Sequence, residues 1–299
     1  MDDMSPKRRR PDVAKLLARY RIADGGRFRL KEIEPADTAG MDKESVKTTA
    51  GSRVERLSAM QELLYASNRW GVLVILQAMD AAGKDGVIEN VFAGVNPLGF
   101  QVFSFKQPSS EELDHDFLWR TSRALPERGR IGVFNRSYYE DVLVVRVHPE
   151  ILAGQRLPRG AAGKRIWEER LEDIAAFERY FARQGFLILK FFLHVSKEEQ
   201  KKRFLARLDE PSKNWKFALS DVREREHWDA YMKAYEEAIR ATAAAHAPWY
   251  VVPADHKWFT RWIISEAILA ELQGLDLAYP EPALGSAEIV AARKALEKS

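Results

Sequence analysis

Hydrophobic residues along this chain fall into two alternating patterns: short unbroken runs, and longer stretches where they recur at three- and four-residue spacing. Unbroken runs bounded by turn residues predict strands buried on both faces. The spaced pattern predicts helices with one wet face. Val72 to Leu76, Arg130 to Phe134 and Phe186 to Val195 are runs of the first kind, and Trp249 to Val252 is a short one after Pro248. Phe100 to Phe105 alternates, as a strand with one exposed face does. Helices are predicted over Val13 to Tyr20, Ser52 to Asn68, Val87 to Phe92, Glu111 to Leu125, from Tyr138 onward, and over Lys164 to Arg183. Further helices are predicted over Lys197 to Leu208, Asp221 to His246, Lys257 to Leu272 and Ala287 to Glu297. Ser196 to Glu199 has the form of a capping box. Pro149 and the stretch from Gly154 to Gly160 read as loop.

Strands that alternate with helices at crossover length predict an α/β fold, a three-layer αβα sandwich around a mostly parallel sheet. Ligands in such sheets sit at the carboxyl ends of strands. Here that singles out the loops Gln77 to Gly86 and Asn135 to Ser137. Residues 1–50, with Gly25, Gly26, Pro35 and Gly40 and no lasting period, read as an N-terminal arm. Residues 51–275 read as one domain, and residues 276–299, with Pro280 and Pro282, as a C-terminal extension.

Composition narrows the class. Hydrophobic residues at 46% and charged residues at 30% are ordinary for a soluble globular protein. No stretch is apolar for long enough to span a bilayer, so no membrane partner is expected. The chain has no cysteine, which excludes disulfides, thiolate metal sites and cysteine nucleophiles, and points to a cytoplasmic location. Asp2, Asp3 and Lys7 to Arg10 are followed by no apolar signal-peptide core. A net charge of +3 is too small to argue for a specific nucleic-acid partner. The Lys7 to Arg10 run is read first as a solvated tail or an oligomer contact. Lys201, Lys202, Arg203, Arg207, Lys213 and Lys216 form a second basic cluster, either a solvated face or a wall against a polyanion.

The chemistry centres on GVLVILQAMDAAGKDG, Gly71 to Gly86. A strand, a loop of small residues, a lysine and a helix form the layout of a phosphate cradle. Gly83 and Lys84 fit the pattern G-x-x-x-x-G-K-[ST], but Ala78 replaces the first glycine and Asp85 the hydroxyl residue. Asp80 adds an acid inside the loop, where it either caps the turn or organises a divalent cation. Asp85 either complements the helix dipole or stands in for the Mg²⁺-binding hydroxyl. Asn135 ends the third strand with a neutral carbonyl oxygen, where many P-loop proteins place an acid. Arg136 either grips phosphate or pairs with Glu140 on the surface. Arg203 and Arg207, four apart, share one face of their helix, and the basic side continues through Lys213 and Lys216 around Trp215. The histidines are scattered, and His194, inside an apolar strand, reads as a satisfied core residue.

QAMDAAGKDG (Gln77 to Gly86), FNRSYYEDVLVVRVHPE (Phe134 to Glu150) and KKRFLARLDEPSKNWKF (Lys201 to Phe217) resemble, in order and spacing, the polyphosphate kinase 2 family, over roughly residues 50–272. The resemblance implies a P-loop kinase fold similar to thymidylate kinase, with a helical lid at about 201–225. It implies Mg²⁺-dependent phosphoryl transfer between inorganic polyphosphate and AMP, ADP or ATP, with Mn²⁺ as an alternative ion and guanine nucleotides as further acceptors. Asp80, Lys84 and Arg136 are then the catalytic positions. Ala81, Ala82, Gly83, Asp85, Gly86, Asn135 and Glu140 would surround the phosphates. Asp80, Asp85 and Glu140 would hold the metal, and Arg203, Arg207, Lys213 and Lys216 the polyphosphate chain. Many relatives carry Asp where Asn135 stands. The FNRSYYED form looks most like the class III branch, which phosphorylates nucleoside mono- and diphosphates. A homo-oligomer, a tetramer, is implied as well. An ATP-dependent nucleotide kinase of the same fold and a non-enzymatic polyanion binder are the competing readings.

Overall fold

The computed structural model describes residues 12–47 and 50–299. The Lys7 to Arg10 run lies outside the described residues. In chain order the elements are α1 (Val13–Tyr20), β1 (Arg21–Ile22), α2 (Lys43–Lys47), α3 (Ala50–Ser67), β2 (Gly71–Gln77), α4 (Lys84–Val91) and β3 (Phe100–Ser104). Then come α5 (Ser110–Leu113), α6 (Trp119–Ser122), β4 (Ile131–Asn135), α7 (Glu140–Val147), α8 (Pro149–Gly154), α9 (Ile166–Arg183) and β5 (Phe186–His194). The chain continues with α10 (Lys197–Asp209), α11 (Leu219–Glu224), α12 (Trp228–Thr242), β6 (Trp249–Pro253), α13 (Lys257–Gln273) and α14 (Ser286–Leu296).

The strands form one sheet in the order β1-β6-β5-β2-β4-β3. Strands β2 to β6 are parallel, and β1 pairs antiparallel with β6 at the edge. All seven residues of β2 are buried, as its unbroken apolar sequence requires of a central strand. Helix α13 lies against α1, α2, α3 and α4 on one face of the sheet. Helix α12 lies against α7 and α9 on the other. The result is the expected αβα sandwich. From β2 the chain builds β4 on one side and β5 on the other, so the strand order reverses around β2. Parallel sheets open a ligand crevice at such a reversal, outside the strand carboxyl ends.

Four local expectations are corrected. The helix expected over Glu111 to Leu125 is broken into α5 and α6, because the Asp116 carboxylate accepts the Leu118 amide at 2.9 Å and closes a turn. The loop expected at Pro149 begins with the short helix α8, for which proline at the first position is pre-set. The helix expected over Asp221 to His246 is two helices joined by a 3-10 turn at Arg225–His227. His194 is buried with a backbone hydrogen bond at Ile33, but its Nδ1 has no partner, so it is a core histidine only half satisfied.

Candidate functional site

At the carboxyl end of β2 the chain turns through Ala78 to Gly83 and enters α4. Gly83, at φ +111°, caps that helix in a conformation open to glycine. The first amides of α4 have no partners within the helix and can face an anion. Lys84 is the first residue of α4, and its side chain folds back along the loop. Its Nζ donates to the Ala78 carbonyl at 2.9 Å and the Met79 carbonyl at 3.4 Å. Burial, aided by the nearby Arg136 charge, pushes the ammonium down to about 8, while Asp80, Glu140 and Asp85 act against the shift. A cation held this way gains when an anion arrives beside it.

Strand β4 runs beside β2 with Asn135 opposite Leu76, which brings its end against the same loop. Arg136 follows at φ +67°, with its amide bonded to the Leu76 carbonyl at 3.0 Å. Of the two sequence readings of Arg136, the ion pair with Glu140 is present, in a partly buried setting. Its Nη1 donates to Glu140 Oε2 at 2.9 Å and its Nη2 to Asp80 Oδ1 at 2.7 Å. Glu140 first, then Asp80, hold the guanidinium above its ordinary range against burial. Glu140 Oε1 accepts from Gln77 Nε2 at 2.9 Å. One Glu140 oxygen thus accepts from Arg136 and the other from Gln77, so Glu140 anchors Arg136.

Asn135 donates from Nδ2 to Asp85 Oδ1 at 2.9 Å, while its own Oδ1 is buried without a partner. That orphaned carbonyl oxygen tests whether the site fits a divalent cation. It stands beside the Asp85 carboxylate, and both residues border a cavity with Asp80. Two carboxylates and an amide oxygen are hard oxygen donors of the kind Mg²⁺ takes, so the residues fit the ion. Among the described residues no group of three or more His, Cys, Asp or Glu is arranged to hold a metal. A set this sparse suits Mg²⁺ bound jointly by protein and substrate phosphates.

The cavity has a volume of about 680 Å³ and contains Ala81, Ala82, Gly86 and the loop acids on one side. Arg207, Lys213 and Lys216, from α10 and the 3-10 turn Pro211–Lys216, line the other. These side chains are held lightly. Arg207 Nη1 donates to the Lys216 carbonyl at 3.3 Å, Lys213 pairs with Glu210, and Lys216 Nζ lies 5.0 Å from the Trp215 ring centre. Arg203 borders the same cavity but is buried, and its donors are spent inside the protein.

Sequence reasoning missed Lys106, Asp221, Lys257 and Arg261, which also line the cavity. Lys106 follows the carboxyl end of β3, and Lys257 and Arg261 stand four apart at the start of α13, after β6. The strand-end rule applied to β3 and β6 would have found all three cations. Burial, then Arg203 and Arg261, holds Lys257 below its ordinary range.

The comparisons with known proteins agree with this geometry. The family model described as "Polyphosphate kinase 2 (PPK2)" matches residues 40–279. An "ADP-polyphosphate phosphotransferase" of Rhodopseudomonas palustris is 54% identical over 264 residues, covering 88% of this chain and 91% of its own. An "AMP/ADP-polyphosphate phosphotransferase" of Meiothermus ruber is 45% identical, covering 92% of this chain and 99% of its own. The crystal structure of polyphosphate kinase 2 from Arthrobacter aurescens TC1 superposes with a TM-score of 0.86 at 39% identity, over 97% of this chain and 98% of that one. The phosphate cradle, the strand-end arginine and the basic wall thus stand on a chain that belongs to the polyphosphate kinase 2 family.

Proposed function

We propose that this protein transfers phosphoryl groups reversibly between inorganic polyphosphate and nucleotides, converting AMP to ADP and ADP to ATP. One observation carries the reading: a single cavity joins a phosphate cradle with acids to a wall of Arg207, Lys213, Lys216, Lys257 and Arg261. A site for one small phosphate ester has no use for so many cations, whereas a polyanionic donor does. The names of the Rhodopseudomonas and Meiothermus relatives support the same donor and acceptors.

The residues divide the work. An acceptor phosphate oxygen is already an anion, so it attacks the terminal phosphorus of polyphosphate without a general base. The bridging P–O bond breaks, and the shortened chain leaves with its electron pair. Lys84 offsets charge on the phosphoryl group in transit. Arg136, fixed between Asp80 and Glu140, holds the Asp80 carboxylate in place. Mg²⁺, or Mn²⁺ in its stead, would be held by Asp80, Asp85 and the Asn135 carbonyl oxygen and would neutralise phosphate charge. Arg207, Lys213 and Lys216 bind the polyphosphate chain, on a segment that acts as a lid at about 201–225. Residues 1–50 and 276–299 flank the catalytic domain in the sequence, as an arm and an extension. The FNRSYYED block favours the class III branch, a tetrameric cytoplasmic enzyme acting on mono- and diphosphates, with guanine nucleotides as further acceptors.

The test combines protein, polyphosphate and Mg²⁺ with AMP, ADP, GMP or GDP and follows the phosphorylated product. Transfer to both AMP and ADP is expected. Transfer to neither, or faster transfer to AMP from ATP than from polyphosphate, overturns the reading. Lys84→Ala and Asp80→Ala each lower turnover about 100- to 1,000-fold while circular dichroism stays that of the parent.

A further inference from the structure

A guanidinium has five N–H donors. In Arg203 all five meet acceptors within the protein. Nε donates to Glu199 Oε1 at 2.9 Å. Nη1 donates to the carbonyls of Ala81 and Ala82 at 3.1 and 2.6 Å. Nη2 donates to the carbonyls of Ala254 and Asp255 at 2.6 and 3.1 Å. The side chain is buried, with 7% of its surface exposed. To bind a phosphate, Arg203 would have to release one of these carbonyls.

One turn earlier on α10, Gln200 does related work. It is 1% exposed, and its Nε2 donates to the Asp80 carbonyl at 2.9 Å. Its Oε1 accepts from Arg225 Nη1 at 2.6 Å, and the same nitrogen bonds the Lys197 carbonyl at 3.0 Å. Three successive carbonyls, of Asp80, Ala81 and Ala82, are therefore drawn toward α10. Ala81 sits at φ +59°, a left-handed conformation unfavourable for alanine. Such a conformation persists only where the surroundings over-determine it. The two α10 side chains supply that determination.

The geometry points to Arg203 and Gln200 as positioning residues that hold the phosphate loop in its cradle shape, and not as ligands of the polyphosphate chain. Arg203 also ties the loop to Ala254 and Asp255, just ahead of Lys257 and Arg261. It thereby sets the spacing between the two sides of the cavity. Gln200 links the loop to Arg225, at the return from α11. The cations free to follow the polyphosphate chain begin with Arg207.

This assignment rests on the proposed donor, but its test separates the two. Arg203→Lys, Gln200→Leu and Arg207→Ala are compared with the parent in full-length protein. Turnover, the KM and Kd for polyphosphate, the salt dependence of Kd, and hydrogen exchange at residues 81–85 are measured. Lysine cannot span both carbonyl pairs, so Arg203→Lys lowers kcat about 100-fold. It leaves Kd within about threefold, because no phosphate contact is lost; lysine keeps the charge, so Kd and exchange decide, not the salt slope. Exchange at residues 81–85 speeds up. Gln200→Leu shifts the same quantities, with kcat about tenfold lower. Arg207→Ala instead weakens binding and lowers the salt slope by about one charge. If Arg203→Lys weakens polyphosphate binding as Arg207→Ala does, with exchange unchanged, Arg203 is a polyphosphate ligand and the assignment falls. If Arg203→Lys does not fold, Gln200→Leu decides by the same criteria. If the parent neither binds nor uses polyphosphate, the donor reading fails, while the exchange comparison still decides what holds the loop.

Discussion

Ala81 and Arg136 both take left-handed backbone conformations, and both border the cavity. Each such residue costs on the order of 1–3 kcal/mol, which the packing around the site must offset. A second local cost sits at the end of β5. Burial pushes the His194 imidazole down to about 4, against the opposing charge of Asp255 and a backbone hydrogen bond at Ile33. The native protein therefore keeps this group neutral where the unfolded chain protonates it. Between about pH 4 and 6.5 the unfolded chain binds more protons, so stability rises with pH there and is lost as pH falls. At pH 4.5 the loss amounts to about 2–3 kcal/mol. Urea unfolding at pH 4.5 and 7 measures it. In His194→Gln the difference between the two pH values shrinks by about that amount. An equal pH dependence in variant and parent would mean that His194 is not held neutral.

Between the sheet and its helices the most demanding feature is a buried charge. Lys190 of β5 and Glu178 of α9 are both fully enclosed. Lys190 Nζ donates to Glu178 Oε2 at 2.5 Å and to the Thr242 carbonyl at 2.8 Å. Glu178 Oε1 accepts from the hydroxyls of Tyr138 and Tyr139 at 2.9 and 2.8 Å. These tyrosines follow Arg136 and Ser137 directly, so the network anchors the turn that carries Arg136. Removing one charge of such a pair strands the other. Glu178→Leu should cost about 3–5 kcal/mol in urea unfolding, and adding Lys190→Met should recover most of it. Additive losses in the double variant would show that the charges do not depend on each other. At this scale the sequence was legible in one dimension only. The apolar run Phe186 to Val195 identified β5 although Lys190 lies inside it. Nothing in the run pointed to Glu178, which reads as one more polar residue of an amphipathic helix. Periodicity also carried the predicted helix across Asp116, where a single side-chain bond breaks it.

Across the whole molecule, sheet order gathers the site. The loop after β2 and the turn after β4 were legible because each carries its own motif. Lys106, Lys257 and Arg261 carry none, and only the order β6-β5-β2-β4-β3 brings them to the same crevice. That order leaves β6 near an edge, which unpaired would invite association with other chains. Residues 12–47 cover it. Arg21 and Ile22 pair with Tyr250 and Trp249. Arg21 Nε donates to Glu271 Oε1 at 2.9 Å, and the Leu30 amide to Glu236 Oε2 at 2.7 Å. The Pro35 carbonyl accepts the Asp255 amide at 3.0 Å, and the Asp255 carbonyl is one that Arg203 holds. The arm is thus joined to the loop that precedes Lys257. The arm passes close to α12 at Gly25, where a Cβ would lie 2.2 Å from the Arg240 carbonyl oxygen. Backbone cannot swing aside as a side chain would, so Gly25→Ala must lift the arm or shift α12. A destabilisation of about 1–3 kcal/mol is expected. Arg27, Arg29 and Lys31 are exposed trypsin sites on the same arm. Cleavage of native protein follows the population of the lifted arm, so Gly25→Ala should be cut there about 10- to 100-fold faster. Unchanged cleavage and an unchanged urea midpoint would show that Gly25 is not what holds the arm down. Faster cleavage with the midpoint retained would mean that the arm opens alone while the sheet stays closed.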